Sequence, residues 1–137
     1  MMEQQQTLGG FMPSPLNSNE IQELYGTLAK VLDGISANQM RVVAGDAGWD
    51  RGQIPDGLDE TGQFTRRAPI RSAIDGLWGQ WDEATKAKRV RRLAQALIDY
   101  LHSKGMADQV NDAIRHCGFS FINGDYIPVD ATGRIPD

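Results

Sequence analysis

The chain has 137 residues, 40% of them hydrophobic and 23% charged, and a formal net charge of −4. This length and balance fit one globular core, and the charge argues against both a nucleic-acid partner and a disordered acidic chain. Cys117 is the single cysteine, so no intramolecular disulfide can form, and a reducing cytoplasm is the simplest compartment.

The first sixteen residues, MMEQQQTLGGFMPSPL, hold neither a positive n-region nor an apolar run of secretory length, so residues 1–17 are expected to be a flexible tail. No stretch approaches the roughly 18–20 apolar residues that cross a bilayer, so no membrane association is expected. Ile21, Leu24, Tyr25, Leu28, Val31, Leu32 and Ile35 recur at helical spacing. Asn17 and Glu20 supply a capping-box start for this helix, and Gly34 marks its end. Ser36 and Gln39 repeat the start signal, followed by Met40, Val43, Ala44 and Ala47 up to Gly48.

From Trp49 to Pro69 the period fails, because Gly52, Pro55, Gly57 and Gly62 interrupt any regular element, leaving at most one turn around Arg51 to Ile54. Ile70, Ala73, Ile74, Leu77, Trp78 and Trp81 form the next stripe, with Pro69 expected at the first helical position. Asp82 caps a longer helix whose core face reads Ala87, Val90, Ala94, Leu97, Ile98 and Leu101 and which ends at Gly105. A shorter helix carries Val110, Ala113, Ile114 and Cys117 and closes at Gly118. FSFI and DYIPV then flank Asn123-Gly124, the dipeptide suited to a type I′ hairpin turn. The expected fold is mainly α, a compact bundle of five to six helices with a small C-terminal β-hairpin. Its expected divisions are the tail 1–17, the bundle 18–118, the hairpin 119–130 packed on the bundle, and a frayed tail 131–137.

Chemistry is sparse. Neither a Walker-type phosphate loop nor a dinucleotide fingerprint occurs, and His102, His116 and Cys117 are too few for a zinc set. His116 and Cys117 are helix neighbours pointing about 100° apart, so the imidazole cannot activate the thiol. Cys117 is therefore expected at the buried end of the last helix and His116 at its polar C-terminal turn. Asp56, Asp59 and Glu60 miss the calcium-loop spacing and read as a solvated loop. No catalytic residue, metal or cofactor is expected.

Two features suggest a partner. Ala44, Gly48 and Ile54 stand at helix-turn-helix offsets, although Pro55, Gly57, Asp50 and Asp56 fit a DNA-reading helix badly. Lys86, Lys88, Arg89, Arg91 and Arg92 put five bases within seven residues, with Arg66, Arg67 and Arg71 upstream. A solvated amphipathic face would account for the run, but positive charge near a helix N-terminus opposes the macrodipole, so local stability does not explain it. An acidic protein surface would be steered to it, and Asp46, Asp50, Asp56, Asp59 and Glu60 offer a complementary patch for head-to-tail self-association.

From Ile21 to about Gln109 the chain resembles the effector-associated, death-like helical domains of bacterial conflict systems. The likeness rests on the helix IQELYGTLAKVL, a second helix ending in AGWDRGQIPDG, the segment IRSAIDGLWGQW, and a long helix followed by a short one. Such domains are non-catalytic adaptors that pair with like domains to couple sensors to effectors. The resemblance thus implies a role and no active site, and it has no place for the hairpin. A non-catalytic protein–protein adaptor is the function expected, binding a like helical domain or itself. A helix-turn-helix regulator is the alternative, and a small toxin or nuclease with an unrecognised site is the third.

Overall fold

The computed structural model describes residues 16–55, 67–130 and 134–135. Among the described residues, five helices run α1 (Ser18–Leu32), α2 (Ala37–Asp46), α3 (Arg67–Gln80), α4 (Glu83–His102) and α5 (Asp108–Ile114). Single 3-10 turns follow α2 (Arg51–Gln53) and α5 (Arg115–Cys117), and a hairpin of β1 (Phe119–Ile122) and β2 (Asp125–Pro128) comes next.

Local chemistry sets several boundaries. Asn17 Oδ1 accepts from the Glu20 amide at 2.8 Å while Glu20 Oε1 accepts from the Asn17 amide at 3.0 Å, so the capping box of α1 closes in both directions. Ser36 and Asp82 cap α2 and α4 through the amides of Gln39 and Thr85. Bonding by Thr85 holds the Asp82 carboxyl below its usual range. Gly48, Gly105 and Gly118 take positive φ just beyond helical segments, the left-handed stop that glycine permits. Gly34 does not share that conformation. The chain leaves α1 through right-handed Asp33, with the Gly34 amide on the Val31 carbonyl.

Two boundaries differ from expectation. α3 starts at Arg67, which makes Pro69 its third residue; the first four helical amides lack an intrahelical acceptor, so the ring is tolerated there as well as at the first position. α5 stops at Ile114, and Cys117 lies in the 3-10 turn, half-buried instead of fully buried.

The core is wholly apolar among the described residues, running from Ile21, Leu24 and Leu28 of α1 to Val90, Leu97 and Leu101 of α4 and Val110 and Ile114 of α5. Leu93 is buried as well, outside the expected stripe, while Ile98 is only partly covered. α1 packs on α4 and α5, and α2 on α3 and α4. An aromatic pile joins α3 to the rest: Tyr25 stacks on Trp78 with centroids 4.0 Å apart, and Trp81 meets Trp49 edge-on at 4.8 Å. The indole N–H of buried Trp49 donates to the Ile74 carbonyl at 3.0 Å, and that of Trp78 to Gln22 Oε1 at 3.1 Å. Tyr25 Oη donates to Asp75, which also receives Arg71, and burial pushes the Tyr25 hydroxyl well above its usual range.

The strands are antiparallel, with Phe121 opposite Tyr126, and Asn123 and Gly124 both take positive φ as a type I′ turn requires. Phe119, Phe121 and Tyr126 are buried, and Tyr126 Oη donates to the Val90 carbonyl of α4 at 2.7 Å. Past the hairpin, Arg134 and Asp130 exchange hydrogen bonds.

Candidate partner-binding surface

A helix turns about 100° per residue, so five bases within seven positions cannot share one face. α4 distributes them. Lys86 lies over the Trp78 ring at 5.5 Å and Arg89 over Trp81 at 5.2 Å, closing the aromatic pile with cation–π contacts. Arg91 leaves another flank, where Nε donates to Asp125 Oδ1 of the hairpin at 2.7 Å and a second nitrogen to the Ala87 carbonyl. Arg92 donates to the Asp46 carbonyl at the C-terminus of α2 at 3.2 Å. Lys88 is exposed.

The upstream arginines are used in a different place. Arg67 donates to the Asp33 carbonyl at 3.0 Å, while Arg71 bonds the Asp33 carboxylate at 2.8 Å and Asp75, tying the start of α3 to the end of α1. Arg66, Asp56, Asp59 and Glu60 lie outside the described residues. Of the remaining acids, Asp50 caps the 3-10 turn through the Gly52 amide, and Asp46 pairs with Arg51 at 3.0 Å.

The C-terminus of α2 is thus ringed by arginines. Arg51 passes over Gly45, while Arg89 and Arg92 close on Gly48, positions where a Cβ would meet their side chains within 3 Å. Cations at this helix end oppose the negative pole of the macrodipole. Arg41 holds the following turn by donating to the Arg51 and Ile54 carbonyls. Ala44 and Ile54 are buried, Gly48 has φ +107°, and residues 51–53 make a single 3-10 turn at the place proposed for a helix-turn-helix.

Beside this ring, α2 and α4 enclose an open groove of about 430 Å³ whose lining includes Val42, Asp46, Arg92, Asp99 and Tyr100. Val42 is 39% exposed. Basic Arg92 and acidic Asp46, expected on separate complementary patches, share this one face. Val42, Asp99 and Tyr100 do not stand out in the sequence, because each falls one or two positions off an apolar stripe. A valine or tyrosine beside a stripe is the available signal.

Cys117 Sγ lies 3.3 Å from Thr27 Oγ1, and burial pushes the thiol up, the opposite of what activates a nucleophile. His116 is exposed. Among the described residues, no three His, Cys, Asp or Glu side chains gather as a metal set, and no helix is long and apolar enough to cross a membrane. No family model, curated protein or solved structure matches the chain.

Proposed function

We propose that the chain is a non-catalytic adaptor that binds a like helical domain, or a second copy of itself, through the α2/α4 face. The observation that carries this reading is the co-location of apolar Val42 and Tyr100 with Arg92, Asp46 and Asp99 around one groove. A face bearing both charges is self-complementary under a two-fold axis, where Arg92 of one copy meets an acid of the other and the reverse contact repeats. That arrangement replaces the head-to-tail pairing, which needs acid and base on separate surfaces. The likeness of Ile21–Gln109 to death-like domains favours the same role in a bacterial defence or signalling system, and the single cysteine suits a cytoplasmic setting.

Sedimentation velocity over a concentration series at low and high salt tests the proposal. Association is expected to weaken as salt rises, since rim charges are screened over about 10 Å at 0.1 M. Val42→Glu and Arg92→Glu each weaken it about tenfold or more, and Asp99→Arg added to Arg92→Glu restores part of the loss. Thermal melts separate this from the structural role of Arg92 on α2. A chain that stays monomeric throughout, and whose capture of a like domain ignores these substitutions, overturns the reading.

A further inference from the structure

Most cations of this protein already make at least one contact within the chain. Arg41, Arg51, Arg67, Arg71, Arg91, Arg92 and Arg115 donate hydrogen bonds to other residues, and Lys86, Arg89 and Lys104 lie over aromatic rings. Among the described residues, the side chains of Lys30, Lys88 and Arg134 have neither kind of partner. Lys30 lines an open groove of about 490 Å³ between α1 and α5.

Two more side chains without a partner among the described residues, Gln109 and His116, line the same groove, whose apolar surface is Val31 and Ala113. No carboxylate is among its lining residues; the acid nearby is Glu23, whose charge helps raise the Cys117 thiol beside Thr27. The macrodipole accounts for a base in the last turn of α1 and for His116 in the turn after α5, but not for their convergence with Gln109. At the end of α1 the Ala29, Val31 and Leu32 carbonyls already accept from the Asp33, Gly34 and Ile35 amides. Since the chain carries −4 overall, attraction of an anion here is local, not a bulk effect.

Donors convergent around an apolar surface define the occupant they fit. We propose that the α1/α5 groove docks an acidic peptide segment of a partner protein. One carboxylate sits between Lys30 and His116 with the Gln109 amide as a further donor, and a neighbouring aliphatic side chain covers Val31 and Ala113. The contact is independent of the α2/α4 face, so a monomeric chain would still make it.

The test is fluorescence anisotropy with a short fluorescein-labelled peptide alternating glutamate and leucine, against its glutamine counterpart, on the full chain. The acidic peptide is expected to saturate and the glutamine peptide to bind at least about tenfold more weakly. Lys30→Glu weakens the acidic peptide about tenfold or more, while Lys104→Glu, an equal change of charge elsewhere, alters it less than about twofold. Amide shift changes on titration centre on Thr27, Lys30, Gln109 and Ala113. Tryptophan emission of each variant reports that the aromatic pile is intact. Absence of saturable binding, equal binding of the two peptides, equal effects of the two lysine reversals, or shifts centred on Val42 and Tyr100 each overturn the proposal.

Discussion

Gly45 and Gly48 each make room for an arginine, yet their substitutions differ in cost. A Cβ on Gly45 lies 1.9 Å from Arg51 Nε and within 3 Å of its Cγ and Cδ, so the whole side chain must leave. The loss is an ion pair whose partners are 48% and 60% exposed, worth about 0–1 kcal/mol, and an exposed, long hydrogen bond of 3.4 Å to the Val42 carbonyl, while alanine in place of glycine in a helix returns about 1 kcal/mol. Gly45→Ala is therefore expected to change stability by less than about 1 kcal/mol. Gly48 adds a backbone constraint, since φ +107° is one that residues with a Cβ rarely adopt, and Arg89 and Arg92 must move as well. Gly48→Ala should cost about 1–3 kcal/mol in urea unfolding. A Gly48→Ala variant as stable as Gly45→Ala would show that the turn after α2 relaxes freely.

At the level of elements, the hairpin is attached through Asn111 of α5. Its side chain accepts from the Phe121 amide and donates to the Phe121 carbonyl, the two bonds a neighbouring strand would supply. The Tyr126 amide on the other strand is taken by Asp125 Oδ1, and Pro128 has no N–H to offer, so neither edge invites a third strand. Asn111→Ala leaves a part-buried amide unsatisfied, which should cost about 1–3 kcal/mol and speed hydrogen exchange at Phe121. An unchanged Phe121 exchange rate would mean that Asn111 does not hold the edge. Nothing in the sequence marked Asn111, because its partner lies ten residues on in a different element. What could be read there was local: the Asn17–Glu20 box, the Ser36 and Asp82 caps and the Asn123-Gly124 turn are each closed by residues within a few positions. The start of α3 was displaced by two residues because Pro69 is compatible with several positions in a first turn.

For the whole molecule, the limit on legibility is clearest in the charges. Five neighbouring bases in the sequence suggest one charged face, yet their side chains go to the aromatic pile at α3, to α2, the hairpin and solvent, destinations fixed largely by elements distant in the chain. Each groove likewise belongs to two helices and could not appear in either alone. The same interdependence governs the hairpin, which completes the core that α4 and α5 begin. Phe119, Phe121, Tyr126 and Val129 are each no more than 7% exposed, and burying such side chains stabilises by about 1.5–3 kcal/mol apiece. Together they supply roughly 6–12 kcal/mol of gross burial, against a net stability of about 5–15 kcal/mol for an ordinary domain. A chain ending at Gly118 would also leave the Val90 carbonyl without Tyr126 Oη and Arg91 without Asp125. It should therefore lose its cooperative thermal transition, whereas the full chain should melt once, with tryptophan emission from the aromatic pile and far-UV dichroism changing together. A truncated chain that still melts cooperatively within a few degrees of the full one would make residues 18–118 a domain in their own right and the hairpin an appendage. Because Tyr126 reaches α4 from the far end of the chain, the expected outcome is one folding unit that closes when the last strand docks.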